Sequence, residues 1–534
     1  MRRSIVCNGV IGLAFFLVVQ PVCEVRAEDV PVAEPAEITV RGVVFEDEDG
    51  DGLAGEDEQG VAGVLVSSRA RIVVTDEQGR FELPVNAADD DVFVIKPVGW
   101  RVGGHPLHLL SGHYVHRPAG SPRLFYAGLA ATDEVPGELA FGMTRVAEPE
   151  DFRVALIADP QPETGMEIDY IRRDALPQLA REGVSAVVSL GDIMFDHLDL
   201  FDSYNRAIGA LGVLHVGVIG NHDLNFDAET DADAGETFRR IYGPRYRAFF
   251  MGRVCFVVLD NIEWLGPGKG TGNYREVMKD EQLAWLGQLL PHVPLDYLVV
   301  ICAHAPLHSV NRQEPAIANR QALFDLLRDR AQVLAVTGHS HITHHRTFTS
   351  EDGWEGAGVF HHHNIATLSG SWWSGPADHR GIPATDQRDG TPNGYVVLDI
   401  RGADYTPQFR PASLDPAHQM RIYPPGHHRN GEQPERLLLV NVFDGIDSAE
   451  VTVRINGGEP RRMRFAQQED PLAQAYYSGP ARQGKTWVRP SVSHHMWQAM
   501  LPEDALPRRQ THRIEVRYRD RFGRDFTEHM IYVP

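Results

Sequence analysis

The sequence predicts an α/β layered domain flanked by two small all-β sandwiches, and three observations carry that prediction. Between Phe152 and about Ile400, short apolar runs alternate with longer helical stretches, the signature of a sheet covered by helices. On either side, strands are short and punctuated by Gly, Asp and Pro, as in antiparallel sandwiches. The chain has 534 residues, enough for three or so domains, and its 43% hydrophobic content is that of folded protein. Four cysteines in so long a chain exclude a disulfide-built scaffold. A formal charge of −22 argues against nucleic acid or an anionic membrane as partner, so a phosphate-bearing ligand would need a local positive centre.

Met1-Arg2-Arg3, the apolar run Val10–Val19 and the small-residue end Val25-Arg26-Ala27 form a secretory signal pattern. That apolar run falls well short of the roughly 20 residues of a spanning helix. Residues 1–27 are therefore expected to be cleaved, giving an exported, periplasmic or extracellular protein with no transmembrane segment. Cys255 and Cys302 remain, both inside apolar runs, and are expected to be inert buried thiols.

Residues 28–147 are expected to form the first sandwich, with strands at Ile38–Phe45, Val61–Val66, Ile72–Val74, Phe81–Leu83 and Val92–Ile95. Within it, Asp47, Asp49, Asp51 and Glu58 have the spacing of a calcium loop, although strands rather than helices flank it. A structural Ca²⁺ is the expectation. In the central domain, residues 148–402, the strand runs are Val154–Ala158, Ala186–Leu190, Val213–Ile219, Val254–Asp260, Tyr297–Cys302 and Val333–Thr337. Helices are expected over Tyr170–Glu182, Asp199–Leu211, Asp280–Leu290 and Asn319–Arg330. Pro407–Glu435 reads as an irregular linker (403–435 as a segment), and residues 436–534 as the second sandwich, with strands at Leu437–Val442, Ala449–Ile455, Thr486–Val488, Ile514–Tyr518 and Met530–Val533.

Five polar clusters follow apolar runs of the central domain: Asp159-Pro160-Gln161, Gly191-Asp192, Gly220-Asn221-His222-Asp223, Ala303-His304 and Gly338-His339-Ser340-His341. Parallel strands bring their carboxyl ends to one edge, so these clusters should converge. Carboxylate, amide oxygen and imidazole together suit iron, manganese or zinc.

In order and spacing, the clusters resemble the calcineurin-like metallophosphoesterase family, which carries D-x-H, GD, GNH-D/E, a lone strand-terminal His and GH-x-H. Gln161 stands where many members have His. The flanking sandwiches resemble an exported bacterial branch. The resemblance implies a four-layer sandwich and a phosphoesterase with two divalent or trivalent metal ions. One ion would be held by Asp159, Gln161, Asp192 and His341, the other by Asp192, Asn221, His304 and His339. It also implies attack on phosphorus by a hydroxide shared between the ions, with His222 as general acid and Asp223 orienting it. The amide oxygen of Gln161 shifts the expected preference toward manganese or iron, with zinc as the alternative.

Beyond the metal motifs, Gly370-Ser371-Trp372-Trp373-Ser374-Gly375 offers Trp372 and Trp373 either to stack on an organic leaving group or to pack on an accessory domain. His361-His362-His363 and His344-His345 are expected to be solvated tracts, because three consecutive residues cannot face one way on a strand. After Gly191-Asp192 the chain continues Ile-Met-Phe-Asp196, without the Asp-Arg-Gly run of serine/threonine protein phosphatases, which disfavours phosphoproteins. The substrate is expected to be a phosphorylated small molecule or a phospholipid headgroup, mono- or diester. A catalytically silent surface binding or adhesion protein, working through its sandwiches, is the alternative.

Overall fold

The computed structural model describes residues 36–268, 272–308, 317–426, 436–479, 485–502 and 504–534; the export signal expected at residues 1–27 lies outside them. In chain order the central domain contributes β1 (Asp151–Ile157), β2 (Ala186–Leu190), β3 (Leu214–Val218), β4 (Arg247–Met251), β5 (Val254–Val258) and β6 (Leu298–Cys302). It continues with β7 (Gln332–Thr337), β8 (His344–Phe348), β9 (Val359–Asn364), β10 (Gly394–Arg401) and β11 (Asp404–Pro411). Helices α1 (Gly165–Asp174), α2 (Phe201–Gly209), α3 (Asp280–Leu289) and α4 (Arg320–Leu327) lie between them.

The strands form two sheets, ordered β3-β2-β1-β10-β11 and β4-β5-β6-β7-β9-β8. Alternate residues explain how they stack. Val154, Leu156, Val188 and Val218 of one sheet share a core with Phe256, Val258, Val300 and Val336 of the other. The intervening Ala155, Ile157 and Val187 face α1 and α2, whereas Cys255, Val257, Ile301 and Ala335 face α3 and α4. Period-two alternation with both faces apolar therefore yields helix, sheet, sheet and helix in four layers. Thr164 starts α1 as the sequence pattern Thr-x-x-Glu requires: its side chain accepts from the Glu167 amide and Glu167 reaches back. Both cysteines are free and buried, and burial pushes the Cys255 thiol up to about 12.

Two four-stranded sheets make the N-terminal sandwich, closed by Val40, Val44, Val66, Leu83, Val92 and Phe141 among others. It docks on the central domain through apolar packing, with Phe93 and Ile95 in one core with Tyr246 and Trp285, and through charge. Arg239, 2% exposed, donates to Asp91 at 2.7 Å and to Asp89 at 3.0 Å. The C-terminal unit also consists of two four-stranded sheets around Leu438, Val440, Val453, Trp497, Ile514 and Val516.

Three expectations are corrected. The irregular linker is structured at both ends of its described part. β11 extends to Pro411 as the edge strand of the first sheet, where Pro407 leaves no inner ladder bond unmade, and Met420–Tyr423 pairs with Leu437–Val442. Thr486–Val488 is a turn, not a strand. The histidine tracts are not solvated: His361, His362 and His363 on β9 and His344 on β8 are buried, and the His345 side chain on β8 is largely covered.

Candidate metal centre

Every expected ligand follows a parallel strand. Asp159 and Gln161 lie beyond β1, Asp192 beyond β2, Asn221 and His222 beyond β3, His304 beyond β6, and His339 and His341 beyond β7. β1, β2 and β3 run parallel in one sheet and β6 and β7 in the other, so all five clusters meet at one edge. The loops are laced together by backbone: Asp159 N–H donates to Gly191 O, Gln161 N–H to Asp192 O, and the His339 amide to both oxygens of Asp159.

Close approach requires glycine at three of these turns. A Cβ on Gly191 would stand 2.5 Å from His304 Nδ1, one on Gly220 2.1 Å from the Asp192 amide nitrogen, and one on Gly338 2.1 Å from Asp159 Oδ2. The ligands themselves carry backbone strain. Asp159, Gln161, Asp192, His339 and His341 have φ between 37° and 71°, the left-handed region that non-glycine residues avoid. Such strain persists where surrounding structure enforces it, and here it gathers on the ligand set.

Around Asp192 Oδ2, His304 Nε2 lies at 3.1 Å, and His304 Nε2 is 3.1 Å from His339 Nδ1 and 3.2 Å from Asn221 Oδ1. On the other side Gln161 Nε2 reaches Asp192 Oδ2 at 3.0 Å, and His341 Nε2 stands 3.5 Å from Asp159 Oδ1. The imidazoles are preset as ligands. His304 Nδ1–H donates to Leu190 O at 2.9 Å and His341 Nδ1–H to Gly370 O at 2.5 Å, which turns each Nε2 lone pair inward. His339 is reversed, with Nε2 toward Glu276 Oε1 at 3.7 Å and Nδ1 inward. Apart from His339, the seven ligands are buried. Burial disfavours charge on Asp192, yet His304 and His222 outweigh it and hold the carboxyl well below its ordinary range. Burial likewise opposes a charged His304, but Asp192 dominates and raises its pKa to about 10. Metal loading must displace that proton, the behaviour of a site built for cations.

Residues 152–343 match the family model of calcineurin-like phosphoesterases, a span that holds all seven expected ligands and His222. Residues 362–526 match the model of the C-terminal part of calcineurin-like phosphoesterases. The chain belongs to the calcineurin-like phosphoesterases. As a member it is a metal-dependent phosphoester hydrolase. It is similar to a dimetal phosphatase from Danio rerio (18% identity, 49% of this chain and 96% of that one, TM-score 0.34). It is also similar to a purple acid phosphatase from yellow lupin seeds (13%, 70% and 70%, TM-score 0.34) and to a metallophosphoesterase from Sphaerobacter thermophilus (16%, 49% and 89%, TM-score 0.23). No curated relative matches the sequence.

Within this phosphoesterase site, the partner expected for His222 is corrected. Asp223 does not face the ring: its oxygens accept three backbone amides, Gly220 at 2.9 Å, Met194 at 2.9 Å and Ile193 at 3.1 Å. It is fully buried, and burial reinforced by Asp192 raises its pKa to about 7. Its role is to hold the loops after β2 and β3 together. The group that grips His222 is Asp196, whose Oδ1 lies 2.5 Å from Nδ1. Burial opposes protonation of His222, but Asp192 and Asp196 prevail and raise its pKa to about 9.

The tryptophan pair divides. Trp372 lies over His341, ring centroids 3.9 Å apart, and its indole N–H donates to Gln161 Oε1 at 2.6 Å. Since an indole only donates, this contact fixes the Gln161 amide with Nε2 toward Asp192, leaving the second Oε1 lone pair as the one atom Gln161 can offer a metal. Trp373 is turned into the core beside Tyr170 and is not placed to meet substrate, a correction explained by its packing. The rim of the site instead carries Trp487, 52% exposed, whose ring centroid lies 4.5 Å from that of Trp372 and 6.3 Å from Phe195. Phe195 stacks on His222 at 4.8 Å, and Lys485 Nζ sits 5.3 Å over Phe195. No metal motif points to Trp487 or Lys485, which reach the centre from the C-terminal unit.

Proposed function

We propose that this chain is an exported phosphoesterase that binds two metal ions through a shared Asp192 and cleaves phosphorylated small molecules with His222 as the acid. The first position would use Asp159, Gln161, Asp192 and His341, and the second Asp192, Asn221, His304 and His339. The observation that carries the reading is the inward turn of His304 Nε2 onto Asp192 and of His341 Nε2 onto Asp159, with His339 Nδ1 beside His304 Nε2. Bound divalent ions supply the positive charge that draws phosphate to an acidic protein, polarise the phosphoryl oxygens and acidify water. His222, protonated through its Asp196 contact, delivers its proton to the leaving oxygen. Phe195, beside His222, and Trp487 offer flat apolar surface where the leaving group departs, while Lys485 is held over Phe195 by its ion pairs with Glu163 at 2.9 Å and Glu167 at 3.6 Å. This arrangement supports phosphate esters of organic alcohols, soluble metabolites and phospholipid headgroups alike.

The oxygen donor at Gln161 supports manganese or iron over zinc. A structural Ca²⁺ in the N-terminal sandwich belongs to the same reading: carboxylate oxygens of Asp47, Asp49 and Glu58 lie within 4.8 Å of one another. Asp51 is not among them, and all four carboxylates accept backbone amides of the loop, Asp51 that of Leu53 at 2.7 Å. Among the described residues no helix is long and apolar enough to cross a membrane.

The test is a hydrolysis screen of purified protein against mono- and diesters, including phospholipid headgroups, with manganese, iron, zinc and calcium compared. Turnover of phosphate esters dependent on manganese or iron is expected, and absence of turnover with every metal would overturn the reading. Protein recovered from the periplasm or medium should begin at Glu28.

A further inference from the structure

Away from the phosphoesterase centre, the structure brings a second set of ligand atoms together. His345 on β8 and His363 on β9 are directly paired across the sheet, so their side chains share a face. Their rings stack with centroids 3.8 Å apart. Both Nε2 atoms address one oxygen of Asp444, which follows Leu437–Val442 in the C-terminal unit: 3.0 Å from His345 and 2.9 Å from His363. All three side chains are largely withdrawn from solvent, His363 completely.

We propose that His345, His363 and Asp444 form a structural zinc site that fastens the C-terminal sandwich to the edge of the catalytic sheet. Three arguments support it. First, ligand spacing fits: a tetrahedron with bonds of about 2.0 Å has edges of roughly 3.3 Å, a few tenths longer than these contacts. The phosphoesterase centre shows the same compression, with His304 Nε2 3.1 Å from Asp192 Oδ2. Second, the outer contact that orients a ligating imidazole is in place on His345, whereas the buried Nδ1 of His363 has no hydrogen-bond partner among the described residues. His345 Nδ1 meets His361 Nε2 at 2.9 Å, and His361 Nδ1 meets the Tyr405 hydroxyl at 2.9 Å. With protons on His345 Nδ1 and His361 Nδ1, this chain frees the His345 Nε2 lone pair for a metal. Third, a cavity of about 10 Å³ adjoins His345 and Asp444, room for one water as fourth ligand. Arg521 and Arg524 line it too, and Asp520 on the same wall, bonded to Arg524, offsets part of their charge.

Two imidazoles, one carboxylate and one water form a four-coordinate nitrogen and oxygen set that selects a borderline cation, hence zinc rather than calcium or magnesium. The site is independent of the ions proposed for catalysis, which sit on other side chains.

The decisive experiment is X-ray diffraction at the zinc absorption edge on crystals of the full chain grown with zinc. An anomalous peak enclosed by His345, His363 and Asp444 is expected, and an empty map there would overturn the proposal. In solution, Asp444→Asn should lower bound zinc by one equivalent per chain while phosphate-ester hydrolysis persists. An unchanged zinc content in a folded Asp444→Asn protein would also overturn it. If that variant does not fold, His363→Gln takes its place, with the same two outcomes read by elemental analysis.

Discussion

Asp196→Asn isolates the acid. The substitution keeps the size of the side chain and removes the charge that Nδ1 of His222 meets at 2.5 Å. A hydrogen bond to a charged group contributes about 1.5–3 kcal/mol, and one pKa unit corresponds to about 1.4 kcal/mol. The His222 pKa should therefore fall by about one to two units. His222 works as an acid while protonated, and its folded pKa is raised, so activity that depends on it is present at low pH and lost as pH rises through that pKa. Bound cations lower the pKa in both proteins, but the difference between them survives. The assay is a pH profile of kcat/KM on two substrates, an alkyl phosphate ester and a p-nitrophenyl ester. For the alkyl ester the alkaline limb should move down by about one to two pH units, with about a 10- to 100-fold loss above it. The p-nitrophenyl ester, whose leaving group needs little protonation, should change far less. Superimposable profiles, or equal losses on both substrates, would refute the assignment of Asp196 and His222 to this step.

Further outcomes follow from the same geometry. Asp192→Asn should remove metal-dependent hydrolysis while circular dichroism stays native, because the carboxylate serves both proposed metal positions. Gly220→Ala should destabilise by about 1–3 kcal/mol and reduce metal content, since its Cβ would meet the Asp192 backbone nitrogen at 2.1 Å and backbone cannot step aside; thermal unfolding and elemental analysis check it. Trp372→Phe retains the ring over His341 but loses the indole N–H to Gln161, so affinity for one of two ions should weaken by about 10- to 100-fold in a metal titration. Trp487→Ala should raise KM for esters with aromatic leaving groups and leave unfolding temperature nearly unchanged, as the ring is half exposed.

The layered domain and the convergence of the five polar clusters were legible in the sequence for one physical reason. Runs such as Ala186–Leu190 are apolar on both faces, which only a doubly covered sheet can use, and each is followed by a short turn that presents Asp, Asn or His, three of the five turns containing glycine. The partner of His222 was not legible. Adjacency favours Asp223, yet the tight turn from Gly220 points that carboxylate into a ring of backbone amides and leaves Asp196, from another loop, to face the imidazole. The histidine tracts misled for a related reason. Alternation does send His361 and His363 one way and His362 the other, but whether either face meets water depends on Tyr405 and Asp444, far along the chain. Trp487 was hidden because a turn in a β-rich segment shows no periodicity that reports its distance from a metal centre.

The central claim is that phosphate-ester cleavage runs through metal held by Asp159, Gln161, Asp192, Asn221, His304, His339 and His341. It is tested most directly by phosphate-ester turnover of chelator-stripped protein, measured before and after manganese or iron is returned. Loss on stripping and recovery on reloading is the predicted result; turnover that survives stripping undiminished would contradict the account.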